Sequence, residues 1–161
     1  MHFVLRFLAI LLFSASGLIL AHDENHGAAV SANAGDETAF GRPGISQQVS
    51  RTVEVTMSDT MRFAPNAIHV KRGATIRIRV RNDGKTEHEL VIGKLKELQE
   101  HAALMRRYPN MHHADANMVN VAPGQTKELV WQFTRAGRFH YGCLEPGHFE
   151  AGMRGRINVM R

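Results

Sequence analysis

The chain has 161 residues, a formal net charge of +5 and one cysteine. The positive charge is spread along the chain without basic runs interleaved with aromatic residues, and this argues against nucleic acid as a partner. A lone cysteine cannot close an intramolecular disulfide, so it is a buried thiol, an intermolecular bridge or a metal-bound thiolate.

Residues 1–21 have the pattern of a secretory signal peptide. Arg6 is the only charged residue in this stretch, an apolar run covers residues 7–20, and Ala21 offers a small residue for cleavage. The run is shorter than the roughly 20 residues that a membrane-spanning helix needs. We therefore predict export to the periplasm and a mature protein without a membrane span.

Residues 22–50 are rich in Ala, Gly, Ser and small polar residues and have almost no large apolar side chains. Such a segment cannot bury enough surface to order itself, so we predict a disordered N-terminal tail. The remaining residues, 51–161, suit one small domain with a single core.

Short strands dominate the pattern of residues 51–161. Apolar residues alternate with polar ones at the period of a half-buried strand, and turn signals with glycine separate the runs. The inward-facing sets are Val53, Val55 and Met57; Ile68 and Val70; Ile76, Ile78 and Val80; Leu129, Trp131 and Phe133; Phe139, Tyr141 and Cys143; and Ile157 and Val159. This pattern predicts an all-β sandwich or barrel.

One segment, residues 95–108, has helical spacing instead. The apolar positions of this helical pattern are Leu95, Leu98, Ala102 and Met105, and Pro109 ends it. We predict one helix here, followed by an irregular stretch to about residue 121. Both form an insertion between two strands.

Residues with metal-binding chemistry are concentrated near the C terminus. Cys143, His148 and Met153 follow one another at intervals of five residues. A thiolate, an imidazole and a weak thioether suit copper, whereas zinc does not usually recruit methionine. A trigonal copper site needs a second histidine, and His88 is the best candidate because it faces inward at a strand end. In contrast, His69 and His140 fall on outward phases and are interpreted as surface residues.

The surroundings of the cysteine exclude two copper enzymes. The trinuclear cluster of a multicopper oxidase needs histidines on both sides of the cysteine, but Gly142 and Leu144 flank Cys143. A binuclear copper centre needs two bridging cysteines, and this chain has one. We therefore do not expect catalysis by this chain alone.

At these positions the chain resembles the cupredoxins, the family of plastocyanin, azurin and auracyanin. The resemblance covers most of residues 51–161 and is carried by residues 61–70, by the strand with His88, and by the loop at 143–153 with the strand after it. It implies a Greek-key β-sandwich. Glu89 is a departure, since some family members have an asparagine after the first histidine that helps to hold the cysteine loop.

The resemblance also implies ligand roles. His88, Cys143 and His148 would lie in the copper plane, and Met153 would be the axial ligand. The apolar neighbours Leu144, Pro146 and Phe149 either form a rim where a redox partner docks or close the end of the sandwich.

Further histidines and methionines lie outside this set. In the insertion they are Met105, Met111, His112, His113 and Met118, and near the predicted mature N terminus they are His22 and His26. Copper-handling proteins use such side chains as ligands on flexible surfaces. Two alternatives stay open: a second, exchangeable copper, or ordinary packing and solvated side chains.

The insertion makes the chain similar to periplasmic cupredoxins associated with bacterial copper tolerance. We therefore predict a monomeric, non-enzymatic copper-binding redox protein that holds one type 1 copper and contributes to copper tolerance, with a transient redox partner. The alternatives are a dedicated electron shuttle between respiratory or photosynthetic partners, and a non-redox copper carrier.

Overall fold

The structure is a computed structural model, and it describes residues 37–161 except 110, 112 and 113. The predicted signal peptide and the first part of the predicted tail lie outside the described residues. The strands are β1 Arg42–Pro43, β2 Val49–Ser58, β3 Arg62–Ala64, β4 Ala67–Lys71, β5 Thr75–Asn82, β6 His88–Gly93, β7 Met118–Val121, β8 Thr126–Gln132, β9 Gly137–Gly142 and β10 Arg154–Met160. A 3₁₀ turn covers Ser46–Gln48, and helix α1 covers Leu95–Arg107.

The strands form two sheets of five. Sheet I has the order β1-β8-β5-β2-β3, and sheet II has the order β4-β10-β9-β6-β7. The inward-facing residues of both sheets make one core, and its largest fully buried side chains include Trp131, Tyr141, Phe133 and Met57. The predicted all-β sandwich is confirmed.

Helix α1 packs on the outside of sheet II. Leu98, Ala102 and Met105 are buried there against a second apolar cluster that includes Val91 of β6. Because this cluster covers the outer face of β6 while the main core covers its inner face, every residue of that strand is buried. Leu95 differs from the prediction, since its side chain is 37 % exposed at the start of the helix.

The stretch after the helix is more regular than predicted. Residues Met118–Val121 form β7, which pairs with β6 in antiparallel register and places Val121 opposite His88. Met118 is 7 % exposed and belongs to the second apolar cluster with Met105. Both methionines are therefore packing residues, and neither is a surface ligand for a second copper.

The prediction of a disordered tail over residues 22–50 needs correction for its described part, residues 37–50. Strand β1 pairs with β8, and Phe40 is 4 % exposed in the main core. Its ring stacks on Trp131 at 5.5 Å between centroids. One aromatic side chain therefore anchors a segment whose composition is otherwise polar.

Helix α1 is too short and too polar to cross a membrane, and no other helix in the described part of the chain has the length and hydropathy for a span.

Candidate metal centre

The sheet topology brings His88 and Cys143 to one end of the sandwich. His88 is the first residue of β6, and Cys143 follows the last residue of β9. These strands are antiparallel neighbours, with Val91 opposite Gly142, so the start of one lies beside the end of the other. His148 lies in the loop between β9 and β10 and faces the same point.

Three donor atoms converge there. The His88 Nδ1 and His148 Nδ1 atoms are 3.2 Å apart, and the Cys143 Sγ atom lies 3.3 Å from His148 Nδ1 and 3.9 Å from His88 Nδ1. A point equidistant from these atoms lies about 2 Å from each, close to the ~2.0–2.3 Å of metal–nitrogen and metal–sulfur bonds. The triangle therefore fits one metal ion.

The fourth predicted residue, Met153, belongs to the same packed unit. Its side chain is fully buried in the main core beside Cys143. The Cys143 N–H donates to the Met153 carbonyl at 3.1 Å, and the Met153 N–H donates to the His148 carbonyl at 3.0 Å. The loop thus folds back on itself and holds all three of its predicted ligands at one end. Thiolate, two imidazoles and a thioether are the donor set that suits copper.

Burial sets the protonation of these groups. Desolvation raises the pKa of the Cys143 thiol to about 12, so the metal-free site holds a thiol at neutral pH and a metal must displace its proton. Burial, followed by the proximity of His88, lowers the pKa of His148. The neutral imidazole, which is the form that binds metals, is therefore favoured.

The sequence left two roles open for the apolar residues around His148. His148 is half-buried and Pro146 is exposed, but Leu144 and Phe149 are buried in the second apolar cluster. These two residues hold helix α1 against the ligand loop. Because both side chains are buried under the helix, they do not offer an exposed apolar rim.

A carboxylate fixes the orientation of His88. Asp59, in the turn after β2, lies with its Oδ1 atom 3.2 Å from His88 Nε2. It also accepts the Lys85 N–H at 2.8 Å and the Thr86 hydroxyl at 2.9 Å. With a proton on Nε2 directed at this carboxylate, Nδ1 is left free to bind a metal. The bond from Lys85 is the main cause that lowers the pKa of Asp59 to about 2, so the group is ionised at neutral pH.

We expect Asp59→Ala to weaken copper binding by roughly 10–100-fold, because outer partners of ligating histidines have effects of this size. Competition against a copper(I) chelator measures the affinity. Asp83→Ala is the matched control, since Asp83 lies in the turn after β5 and its carboxylate pairs with exposed Arg81. Equal affinities of the two variants would contradict the role of Asp59.

Glu89 holds the cysteine loop from the other side. Its carboxylate accepts the Leu144 N–H at 2.8 Å, and its own N–H donates to the Cys143 sulfur at 3.4 Å. It therefore supplies the loop contact that the resemblance assigns to an asparagine in some family members. Glu89 is only 2 % exposed, and this burial raises the pKa of its carboxyl to about 7.

We expect Glu89→Ala to lower the free energy of unfolding of the metal-free protein by about 1–3 kcal/mol, because it leaves the buried Leu144 N–H without its acceptor. Glu89→Gln keeps an acceptor oxygen and should cost less than about 1 kcal/mol. Urea unfolding followed by circular dichroism measures both variants. If the alanine variant is as stable as the glutamine variant, the hydrogen bond does not hold the loop.

The remaining predicted residues divide into three groups. His69 is exposed, as expected, whereas His140 is half-buried and its Nδ1 atom has no hydrogen-bond partner in the described part of the chain. Met111 is 37 % exposed in the insertion. The other candidates for a second copper site lie outside the described residues: His22, His26, His112 and His113.

Sequence reasoning missed Asp59 as an outer partner of the site. It lies 29 positions from His88, and nothing in its own neighbourhood distinguishes it from any other turn aspartate. Only the pairing of β2 with β5 brings its turn to the loop before β6.

Comparison with known proteins agrees with this geometry. Residues 49–160 match the sequence model of the copper binding proteins of the plastocyanin/azurin family. Copper-resistant cuproprotein CopI of Rubrivivax gelatinosus is 52 % identical over 140 residues, which cover 86 % of this chain and 84 % of that protein. Copper-resistant cuproprotein CopI of Pseudomonas aeruginosa is 35 % identical, over 83 % of this chain and 89 % of that protein.

Solved structures of similar fold include reduced auracyanin from Roseiflexus castenholzii, with a TM-score of 0.61 and 19 % identity over 70 % of this chain and 99 % of that one. Azurin Az-iso2 from Methylomonas has a TM-score of 0.56 and 19 % identity over 70 % of this chain and 100 % of that one. These likenesses show the fold.

Proposed function

The chain belongs to the plastocyanin/azurin family of copper-binding proteins, the cupredoxins, and on this premise we propose that it is a periplasmic redox protein that contributes to copper tolerance. In this proposal His88, Cys143, His148 and Met153 would hold one type 1 copper. The observation that carries the proposal is the convergence of two imidazole nitrogens and one thiol sulfur at a single buried point.

Copper bound there supplies a centre that accepts and donates one electron. The protein supplies the fixed geometry. Asp59 holds the ring of His88, and Glu89 holds the backbone after Cys143, so two of the residues that would hold the metal are fixed before it binds. A site that is already rigid changes little between copper(I) and copper(II), and this favours fast electron exchange.

The relatives support the role in copper tolerance. The two that are 52 % and 35 % identical carry the name copper-resistant cuproprotein, and this chain spans most of the length of each. We extend that role to this chain. The sequence pattern of residues 1–21 supports cleavage of a signal peptide and export to the periplasm, and the described residues from 37 onward form the domain. We propose that the mature protein is monomeric and acts without catalysis of its own.

Growth of a deletion strain on graded copper tests this role. We expect lower tolerance, restored by the wild-type protein and not by Cys143→Ser. Unchanged tolerance in the deletion strain would contradict the role and favour a dedicated electron shuttle. Full rescue by the serine variant would show that the copper of the Cys143 centre is not what protects the cell, and would favour a non-redox carrier.

Met153→Gln should keep copper bound but change its visible spectrum and lower its reduction potential. The thioether is a soft, weak axial donor that favours copper(I), whereas an amide oxygen is harder and favours copper(II). Absorption spectroscopy and redox titration measure the two effects. Met160→Gln is the matched control, because Met160 is 51 % exposed on β10 and should leave both properties unchanged. If the two variants behave alike, Met153 is not an axial ligand.

A further inference from the structure

The arginines on the outer faces of the two sheets differ in their ion pairing. On sheet I the arginines of β5 are paired with acidic residues: Arg77 with Glu128 at 3.0 Å, Arg79 with Glu54 at 3.1 Å and Glu128 at 3.2 Å, and Arg81 with Asp83 at 2.8 Å. On sheet II, strands β4, β9 and β10 contain no acidic residue. Arg138, Arg154 and Arg156 there form no ion pair within the described residues. The outer face of β4, β9 and β10 therefore carries three arginines without an acidic partner among the described residues.

Part of this face is concave. A pocket of about 460 Å³ is lined by Arg62, Asn66, Leu95, His140, Arg154 and Arg156. Arg156 of β10 lies directly opposite His140 of β9 in the antiparallel register, so the two side chains share the outer face. We call this the arginine pocket. Its volume is in the range of small-molecule sites, about 300–1,000 Å³.

Two of its guanidinium groups are held in place by neutral partners. Arg62 Nη1 donates to the carbonyls of Met61 at 2.7 Å and Ala151 at 2.8 Å. Gly152 permits this close approach, since a Cβ atom there would lie 2.9 Å from Arg62 Nη1. The Arg154 guanidinium lies 5.7 Å from the centroid of the Phe149 ring. These contacts orient the cations without neutralising them.

His140 adds a polar group to the pocket wall. Its Nδ1 atom is buried and lacks a hydrogen-bond partner among the described residues. Burial, and then the charges of Arg154, Arg156 and Arg138, lower the pKa of His140. The neutral ring keeps one N–H donor, and the three nearby arginines make its surroundings positive.

We propose that the arginine pocket binds a small oxyanion, a phosphate or a carboxylate, through Arg62, Arg154 and Arg156, with His140 as a further donor. The planar guanidinium matches the oxygen atoms of these anions and can donate two parallel hydrogen bonds to one of them. Cations that converge on a concave site without acidic partners raise the local concentration of anions. None of the residues that line the pocket is a predicted copper ligand, and the proposal does not depend on the proposed function.

The test uses the full mature protein loaded with copper(I), which is diamagnetic, at low ionic strength. Inorganic phosphate is titrated in one arm and succinate in another, with chloride at matched ionic strength as the reference, and amide shifts are followed by NMR. We expect saturable shifts in β9 and β10 around His140 and Arg156 with at least one of the two oxyanions. The titration that saturates identifies whether the pocket prefers phosphate or carboxylate. Non-saturable shifts in both arms, or equal shifts with chloride, would overturn the proposal.

Paired substitutions locate the site. The double variant Arg154→Gln/Arg156→Gln should weaken oxyanion binding by about tenfold or more, because both guanidinium donors are lost. The control Arg77→Gln/Arg79→Gln removes the same charge from sheet I and should change the affinity less than about twofold. Arg156→Lys keeps the charge and the fold but loses the planar donor pair, so it should weaken binding as well. Equal losses in the two double variants would mean that net charge alone attracts the anion.

Discussion

Replacement of Cys143 by serine should abolish the intense visible absorption of the copper(II)-loaded protein while the sandwich stays folded. The colour of such a centre comes from charge transfer between thiolate sulfur and copper, and a serine hydroxyl cannot replace it. Serine is smaller than cysteine and can accept the Glu89 N–H that now faces the sulfur at 3.4 Å, so the fold should tolerate it. The absorption spectrum and far-UV circular dichroism measure the two parts of the result.

Two histidine variants serve as comparisons for the serine variant. His88→Ala removes a strong ligand and should weaken copper binding outright, whereas His69→Ala, on the exposed side of β4, should leave the colour and the stoichiometry unchanged. If the serine variant keeps its intense colour, the thiolate is not a ligand and copper binds elsewhere on the chain.

Much of the fold could be predicted from sequence because the alternation of apolar and polar residues that marks a sandwich strand lies within the strand itself. Alternation at period two identifies the inward residues of β2, β5, β8, β9 and β10 without knowledge of their partners. The proximity of Cys143 and His148 could also be predicted, because one short loop contains both residues. His88 required one further step: its inward phase and its position at a strand end had to match those of Cys143.

The outer partners of the site could not be predicted in this way. Asp59 reaches His88 across 29 positions and Glu89 reaches Leu144 across 55, and both contacts exist only after the strands have paired. Glu89 also breaks the usual expectation that a carboxylate faces water, because it is 2 % exposed. Long-range hydrogen bonds leave no local signature, so a pattern-based analysis detects ligands more readily than the groups that hold them.

The sequence left two alternatives open for the insertion because its methionines have two uses. Methionine fills irregular gaps in apolar cores as readily as it binds copper. In the structure Met105 of helix α1 and Met118 of β7 belong to the same buried apolar cluster, so alanine at Met118 would damage the fold and would not report on a second copper. The remaining candidate in the described part of the insertion is Met111, and a test of a second copper there has to change surface residues only.

The N-terminal boundary shows how composition can mislead over a short segment. Residues 37–50 are mostly polar, and the tail prediction followed from their average. Order in this segment depends on long-range contacts: β1 pairs with β8, and the Phe40 ring stacks on a tryptophan 91 positions away. An average over many residues cannot reveal an anchor of a single side chain.

Phe40→Ala should therefore destabilise the metal-free protein by about 3–5 kcal/mol, the usual cost of removing a buried phenylalanine. Phe40 is 4 % exposed and stacks on Trp131, so the substitution leaves a cavity between β1 and the main core. Urea unfolding without copper measures this loss of stability, since bound metal would add its own stabilisation. Ile45→Ala is the matched control: Ile45 lies in the same segment, is 50 % exposed and should cost about 0.5 kcal/mol or less. If both variants unfold at the same urea concentration, residues 37–50 contribute nothing to the core, and the domain begins near residue 51 as their composition alone would predict.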